Sequence, residues 1–163
     1  MSKNCAALFR WVLLAAFALL LKAGTAQNMA AGLRLGWGGG LSFLYRPNEN
    51  QAVEGILSPR WGGAVLTGLY QRHVPHSSQN WSWFYGGGLH LGYHHRDNFV
   101  GEGFSGAPNY INLGFDLIGG ITYRMEDFPV EFSLDYMPSI ELSAERNFIA
   151  EQVGLTCRFR FSP

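Results

Sequence analysis

Between residues 110 and 124 apolar side chains fall on Leu113, Phe115, Leu117, Ile121 and Tyr123, while Asn112, Gly114, Asp116, Thr122 and Arg124 lie between them. Alternation of period two puts the two sets on opposite faces of an extended chain, which predicts a strand with one oily and one polar face. The same rule predicts a strand near 128–142, with Val130, Phe132, Leu134, Tyr136 and Ile140 against Glu131, Ser133, Asp135 and Ser139. Met125 to Pro129 joins the two as a tight turn. The last strand sets Val153, Leu155, Cys157, Phe159 and Phe161 against Gln152, Gly154, Thr156, Arg158 and Arg160. Earlier segments repeat the pattern less cleanly, with Leu33, Leu35 and Trp37 against Arg34, and Leu41, Phe43 and Tyr45 against Ser42 and Arg46. Val53 and Leu57 stand against Glu54 and Ser58, and Trp81 to Tyr93 alternate with Ser82 to His94. Residues 64–73 are ambiguous in phase, because both faces carry apolar side chains. No amphipathic helix of three turns is found after residue 27, so the expected fold class is all-β.

The first 26 residues follow different rules. Lys3 and Arg10 precede an apolar run, Trp11 to Leu21, that is too short to span a bilayer as a helix and reads as a signal-peptide core. Gly24 and Ala26 supply the small residues a signal peptidase requires, so cleavage is expected after Ala26. That divides the chain into a signal peptide, 1–26, and one barrel domain, 27–163. Cys5 leaves with the peptide, and a single thiol, Cys157, remains; no disulfide staple is then available.

Composition decides where the oily face goes. Beyond residue 26 there is no lysine, and nine arginines face twelve acidic residues. A soluble β-protein needs a charged exterior, and these residues do not supply one. Nor is there a basic run for nucleic acid, which excludes that partner. Small and charged groups of both signs on the polar face suit a narrow lumen instead. Ten residues at about 3.3 Å each, tilted about 45°, rise roughly 23 Å, close to the apolar band about 25 Å tall of an outer-membrane barrel. Trp37, Tyr45, Trp81, Trp83, Tyr93, Tyr123 and Tyr136 are placed near strand ends, as interfacial girdles require.

Strands are expected near 31–37, 40–46, 51–59, 62–73, 81–95, 109–124, 128–142 and 148–162, making an eight-stranded antiparallel transmembrane β-barrel. The even count depends on Gly38-Gly39-Gly40 being a hairpin and not a bend. Pro138 is expected to mark a bulge, since proline removes a ladder donor. Residues 38–40, 60–61, 96–108 and 144–147 become external loops. Residues 47–50 and 74–80 become periplasmic turns.

The segment Gln152 to Phe161 resembles the assembly signal of outer-membrane proteins, with Gly154 followed by alternating apolar residues through Phe159 to a terminal Phe161; it departs in carrying Cys157 at one apolar position and Ser162-Pro163 after the Phe. Gly32 to Gly36, Trp83 to Gly88 and Phe128 to Pro138 are similar to stretches in a family of small, uncharacterised Gram-negative outer-membrane β-barrel proteins. That resemblance implies location in the outer membrane among its lipid, escort by periplasmic chaperones, insertion by the barrel-assembly machinery, and very little about activity.

Eight strands enclose a space that side chains fill. Arg34, Arg46, Glu54, Asp116, Arg124, Glu131, Asp135, Arg158 and Arg160 are expected inside as a closed, salt-bridged network, with Arg158 or Arg160 paired to Asp116 or Asp135. No zinc-type spacing, phosphate loop or other cofactor motif is found. His90 and His94 are expected in the lumen about 13 Å apart along the strand, too far for a two-histidine metal site. The expected role is therefore structural, adhesive or partner-binding and non-enzymatic, with the 96–109 loop as a surface for a partner. Two alternatives remain: a barrel enzyme acting on outer-membrane lipid in the manner of a lipid A deacylase, and a soluble lipocalin-like carrier.

Overall fold

A computed structural model describes residues 28–60, 63–76, 80–95, 109–142, 148–150 and 152–161. The strands are β1 (Met29–Gly36), β2 (Gly40–Asn48), β3 (Gln51–Arg60), β4 (Gly63–Pro75), β5 (Trp81–His95), β6 (Asn109–Arg124), β7 (Val130–Tyr136), β8 (Ser139–Glu141), β9 (Phe148–Ile149) and β10 (Val153–Arg160). β7 with β8, and β9 with β10, are the lower and upper parts of two single staves. Each stave pairs antiparallel with its sequence neighbour, and β10 returns to β1. The result is a closed eight-stranded barrel.

Local chemistry sets the corners. Gly36 and Gly38 adopt φ of 103° and 72°, and Gly39 N–H donates to Gly36 O at 3.1 Å. The triple glycine is thus a hairpin, which keeps the strand number even. Asn48 pairs with Gln51 around a two-residue turn whose Asn50 N–H is held by Asn48 Oδ1 at 3.2 Å. The expected leader, the expected loops 96–108 and 144–147, and Trp61 of the expected loop 60–61 lie outside the described residues, while Arg60 ends β3.

Pro138 does interrupt its stave and sits at a bulge, whose extra residue is on the facing stave. β6 pairs in one continuous register with β7 and then β8, from Tyr123↔Phe132 to Asp116↔Ser139. Leu117 N–H still donates to Pro138 O at 3.0 Å, and proline merely fails to return the second bond. On the other side Val153 faces Tyr136 while Ile149 faces Ser139, so three residues, 150–152, stand opposite two. The extra residue belongs to the last stave, where Met137 N–H donates to Gln152 O at 2.8 Å. It follows that Tyr136, expected at a strand end, sits halfway along its stave.

Burial is inverted relative to a water-soluble barrel. Outward positions hold Leu35, Phe43, Trp83, Ile111, Leu117 and Leu134, all roughly half exposed or more, and every stave contributes such residues. Inward positions hold Arg34, Glu54, Glu131, Asp135 and Arg158, each at most 3% exposed. The inside is not uniformly polar. Ile56, Leu69, Phe84, Ile118 and Met137, from five adjacent staves, make one buried apolar cluster. This cluster explains the ambiguous phase of 64–73: Leu66 and Tyr70 face out, but Val65 and Leu69 face in.

Candidate functional site in the barrel lumen

Two polar groups occupy the lumen, and along β4, β5, β6 and the β7–β8 stave the apolar cluster lies between them. On β6 the inward order from the turn end is Arg124, Thr122, Gly120, Ile118, Asp116; on the next stave it is Glu131, Ser133, Asp135, Met137, Ser139, Glu141.

The turn-end group is built around Arg158. Its guanidinium pairs with Glu54, donates to Ser42 Oγ at 2.7 Å and to Ser133 Oγ at 2.9 Å, and lies 3.4 Å from Glu131 Oε1. Ser42 Oγ donates in turn to Glu54 Oε1 at 2.6 Å, and Gln71 Nε2 donates to Glu54 Oε2. Arg46 crosses from β2 to reach Glu131 at 2.9 Å. A charge fully removed from water is tolerated only with its hydrogen-bonding capacity met, and Glu54 and Arg158 meet that condition.

On the same side of Met137 as that group, Arg34 pairs with Asp135 and also donates through Nη1 to the carbonyls of Trp37 and Gly38 at 3.0 and 3.2 Å, tying the first hairpin to the lumen. Gly154 makes this possible. It faces Asp135 in the register, and a Cβ there would stand 2.4 Å from Arg34 Nη2. The loop-end group, beyond Met137, is built around His90, which lies between two carboxylates, with Nδ1 2.9 Å from Asp116 Oδ2 and Nε2 3.2 Å from Glu141 Oε2. The first is an aligned hydrogen bond; the second is a charge contact off the ring N–H direction. Asn112 Nδ2 donates to Glu141 Oε2 at 2.9 Å, and Gln152 Nε2 to Ser139 Oγ at 2.6 Å. These residues line a void of about 20 Å³, space for roughly one water molecule.

The pairing expected of Arg158 or Arg160 with Asp116 or Asp135 is not what forms. Register decides it: Arg158 faces Glu131 on β7, whereas Asp135 faces side-chain-less Gly154 and takes Arg34 from the next stave. Asp116 is taken by His90. Arg160 donates instead to the carbonyls of Met125 and Phe128 at 3.0 and 3.3 Å. Arg124 and Arg160 are only half-buried, at the turn-end mouth. Of the residues expected to form an assembly signal, Gly154 faces inward, while Phe159 and Phe161 face out with ring centroids 5.9 Å apart. Glu141 was missed by sequence reasoning, although extending the Glu131-to-Ser139 face by two residues reaches it. Which strand partners meet was not legible, since periodicity fixes a face and not a register.

Both ring nitrogens of His90 address carboxylates, and Ser139 Oγ is engaged by Gln152, so no serine hydroxyl is bonded to a histidine among the described residues. Among them, too, no group of three His, Cys, Asp or Glu side chains has metal-holding geometry. The His94 side chain lies outside the described residues. No protein-family model matches the chain, and no curated protein matches it.

Proposed function

We propose that this chain is an integral outer-membrane β-barrel protein with a closed lumen and a structural, adhesive or partner-binding role. The observation that carries this reading is the inverted burial: a belt of Leu, Phe, Ile, Trp and Tyr on all eight staves, around an interior of ion pairs. In water that belt forfeits the main driving force of folding, whereas in hydrocarbon it is the matched surface. Closure of the sheet satisfies the backbone groups that lipid cannot. With the even strand number, the short turns and both chain ends face the periplasm, and the loops beginning near 96–109 face outward, where a surface partner would bind. Gly154, Phe159 and Phe161 then serve recognition by the insertion machinery after chaperone escort.

A lipocalin-like carrier needs a roomy apolar interior, and the lumen is filled by side chains around a void of about 20 Å³. A lipid-modifying enzyme needs a nucleophile with a free base. His90 Nδ1 is bonded to Asp116, its Nε2 lies 3.2 Å from Glu141 without a hydrogen bond, and no serine hydroxyl is bonded to a histidine among the described residues, which favours the non-catalytic reading. Two experiments test the proposal. Carbonate washing should leave the protein in the membrane fraction with heat-modifiable gel mobility; release into the wash would refute it. Mass spectra of lipid A from cells lacking or overproducing the protein should be identical, and a gained or lost acyl chain would replace the non-catalytic reading with the enzymatic one.

A further inference from the structure

The turn-end mouth has more positive charge than it can use. Arg46, Arg124, Arg158 and Arg160 face it from β2, β6 and β10, and the inward acids at that level are Glu54 and Glu131. Arg158 is fully occupied with those two carboxylates, and Arg46 shares Glu131. Arg124 has no side-chain hydrogen bond or ion pair with any other described residue, although Glu131 is its cross-strand neighbour. Its electrostatic surroundings include two like charges, Arg46 and Arg160, beside Glu131 and Glu49. Glu49, Glu126 and Asp127 stand on the exposed rim, where water and salt screen them.

Buried polar atoms without a hydrogen bond are concentrated in the same place: donors of the arginines, and the acceptor Glu131 Oε2, which lies 2.9 Å from Arg46 Nη2. The Nε atoms of Arg46, Arg124 and Arg160 are all shut off from solvent without a hydrogen-bond partner among the described residues. Buried donors left unmade are costly, and like charges held together are costlier, so such a cluster signals a missing anion. Guanidinium forks match carboxylate and phosphate oxygens. Arg46 and Arg160 are near enough to act on the charge of Arg124, and the donors left over after Arg46 meets Glu131 and Arg160 meets the carbonyls of Met125 and Phe128 outnumber a carboxylate's two oxygens, which favours a phosphoryl group.

We propose that Arg46, Arg124 and Arg160 form a binding site for a phosphoryl oxyanion at the turn-end mouth of the barrel. The anion is either free phosphate or a lipid headgroup at the adjoining surface. Only the second source rests on the membrane reading.

The test uses the refolded barrel in zwitterionic micelles, titrated with inorganic phosphate by calorimetry, and in phosphatidylcholine vesicles with or without phosphatidylglycerol. Saturable phosphate binding is expected, weakened at least tenfold by Arg124→Gln and by Arg160→Gln. Arg72→Gln, on the outward face, should leave it unchanged. Phosphate should raise the unfolding temperature of the wild type and not that of Arg124→Gln, because a ligand stabilises only the state that binds it. If the source is lipid, phosphatidylglycerol produces that rise without phosphate, and Arg124→Gln again abolishes it. Should Arg124→Gln not fold, the wild-type titration and Arg160→Gln decide. The proposal is overturned if neither phosphate nor phosphatidylglycerol has a saturable effect, or if the effect is the same in the arginine variants. Failure of the lipid arm with success in micelles removes the lipid source alone.

Discussion

Arg34→Met is the most informative change to the lumen. Arg34 is 2% exposed, its guanidinium pairs with Asp135, and its remaining donors hold Trp37 O and Gly38 O at 3.0 and 3.2 Å. Methionine fills much of the volume but leaves a carboxylate, itself 3% exposed, without its cation. Breaking a buried pair from one side costs about 3–5 kcal/mol. Asp135→Leu should cost a similar amount by leaving the guanidinium alone. Replacing both charges removes the desolvation penalty with the attraction, so the double variant should lie close to wild type, a coupling of roughly 3 kcal/mol or more. Urea titration in lipid vesicles, followed by tryptophan fluorescence and by the heat-modifiable band, measures all four species. If the two single effects simply add, within about 0.5 kcal/mol, the pair is not the unit described here.

Three further outcomes follow from the same geometry. Gly154→Val should abolish folding or shift the Arg34 hairpin, read by loss of the compact gel band, since its Cβ would meet the Arg34 guanidinium at 2.4 Å. Gly114→Ala should destabilise in urea, because the new methyl would meet both the His90 ring and the backbone oxygen of Ile140, and His90→Ala should restore only part of the loss, since the backbone contact remains. On the outer face, Leu89→Arg should cost about 2–4 kcal/mol in vesicles while Val74→Arg, near the turn end, costs about 0–1, and equal costs would mean that the belt has no depth in lipid.

Much of this barrel is legible from alternation alone, and its limits are instructive. The faces of β6 read directly, because Leu113, Phe115 and Leu117 can only oppose Asn112 and Asp116. The phase of β4 did not, because Val65 and Leu69 carry apolar groups into a lumen that also holds Ile56 and Phe84. The inward set Arg34, Glu54, Asp116, Glu131, Asp135 and Arg158 follows from the same parity. Their partners do not, since one glycine, Gly154, redirects Arg34 onto Asp135 across a stave that single-strand reasoning treats as empty. Pro138 likewise announces an interruption, but the extra residue falls in 150–152, where nothing in the local sequence marks it. The His90–Glu141 contact spans three staves and needed the closed register to appear.

Cys157 offers the most direct test of the proposal that the apolar belt faces a membrane. It lies on the outer face of β10 between Leu33 of β1 and Phe132 of β7, and it is the single thiol once the proposed leader with Cys5 is removed. A nitroxide attached there, in barrel refolded into vesicles, can be examined by power-saturation electron paramagnetic resonance against oxygen and a water-soluble nickel chelate. High accessibility to oxygen with exclusion of nickel is the predicted result. Free access of nickel at this position would place the belt in water and contradict the account.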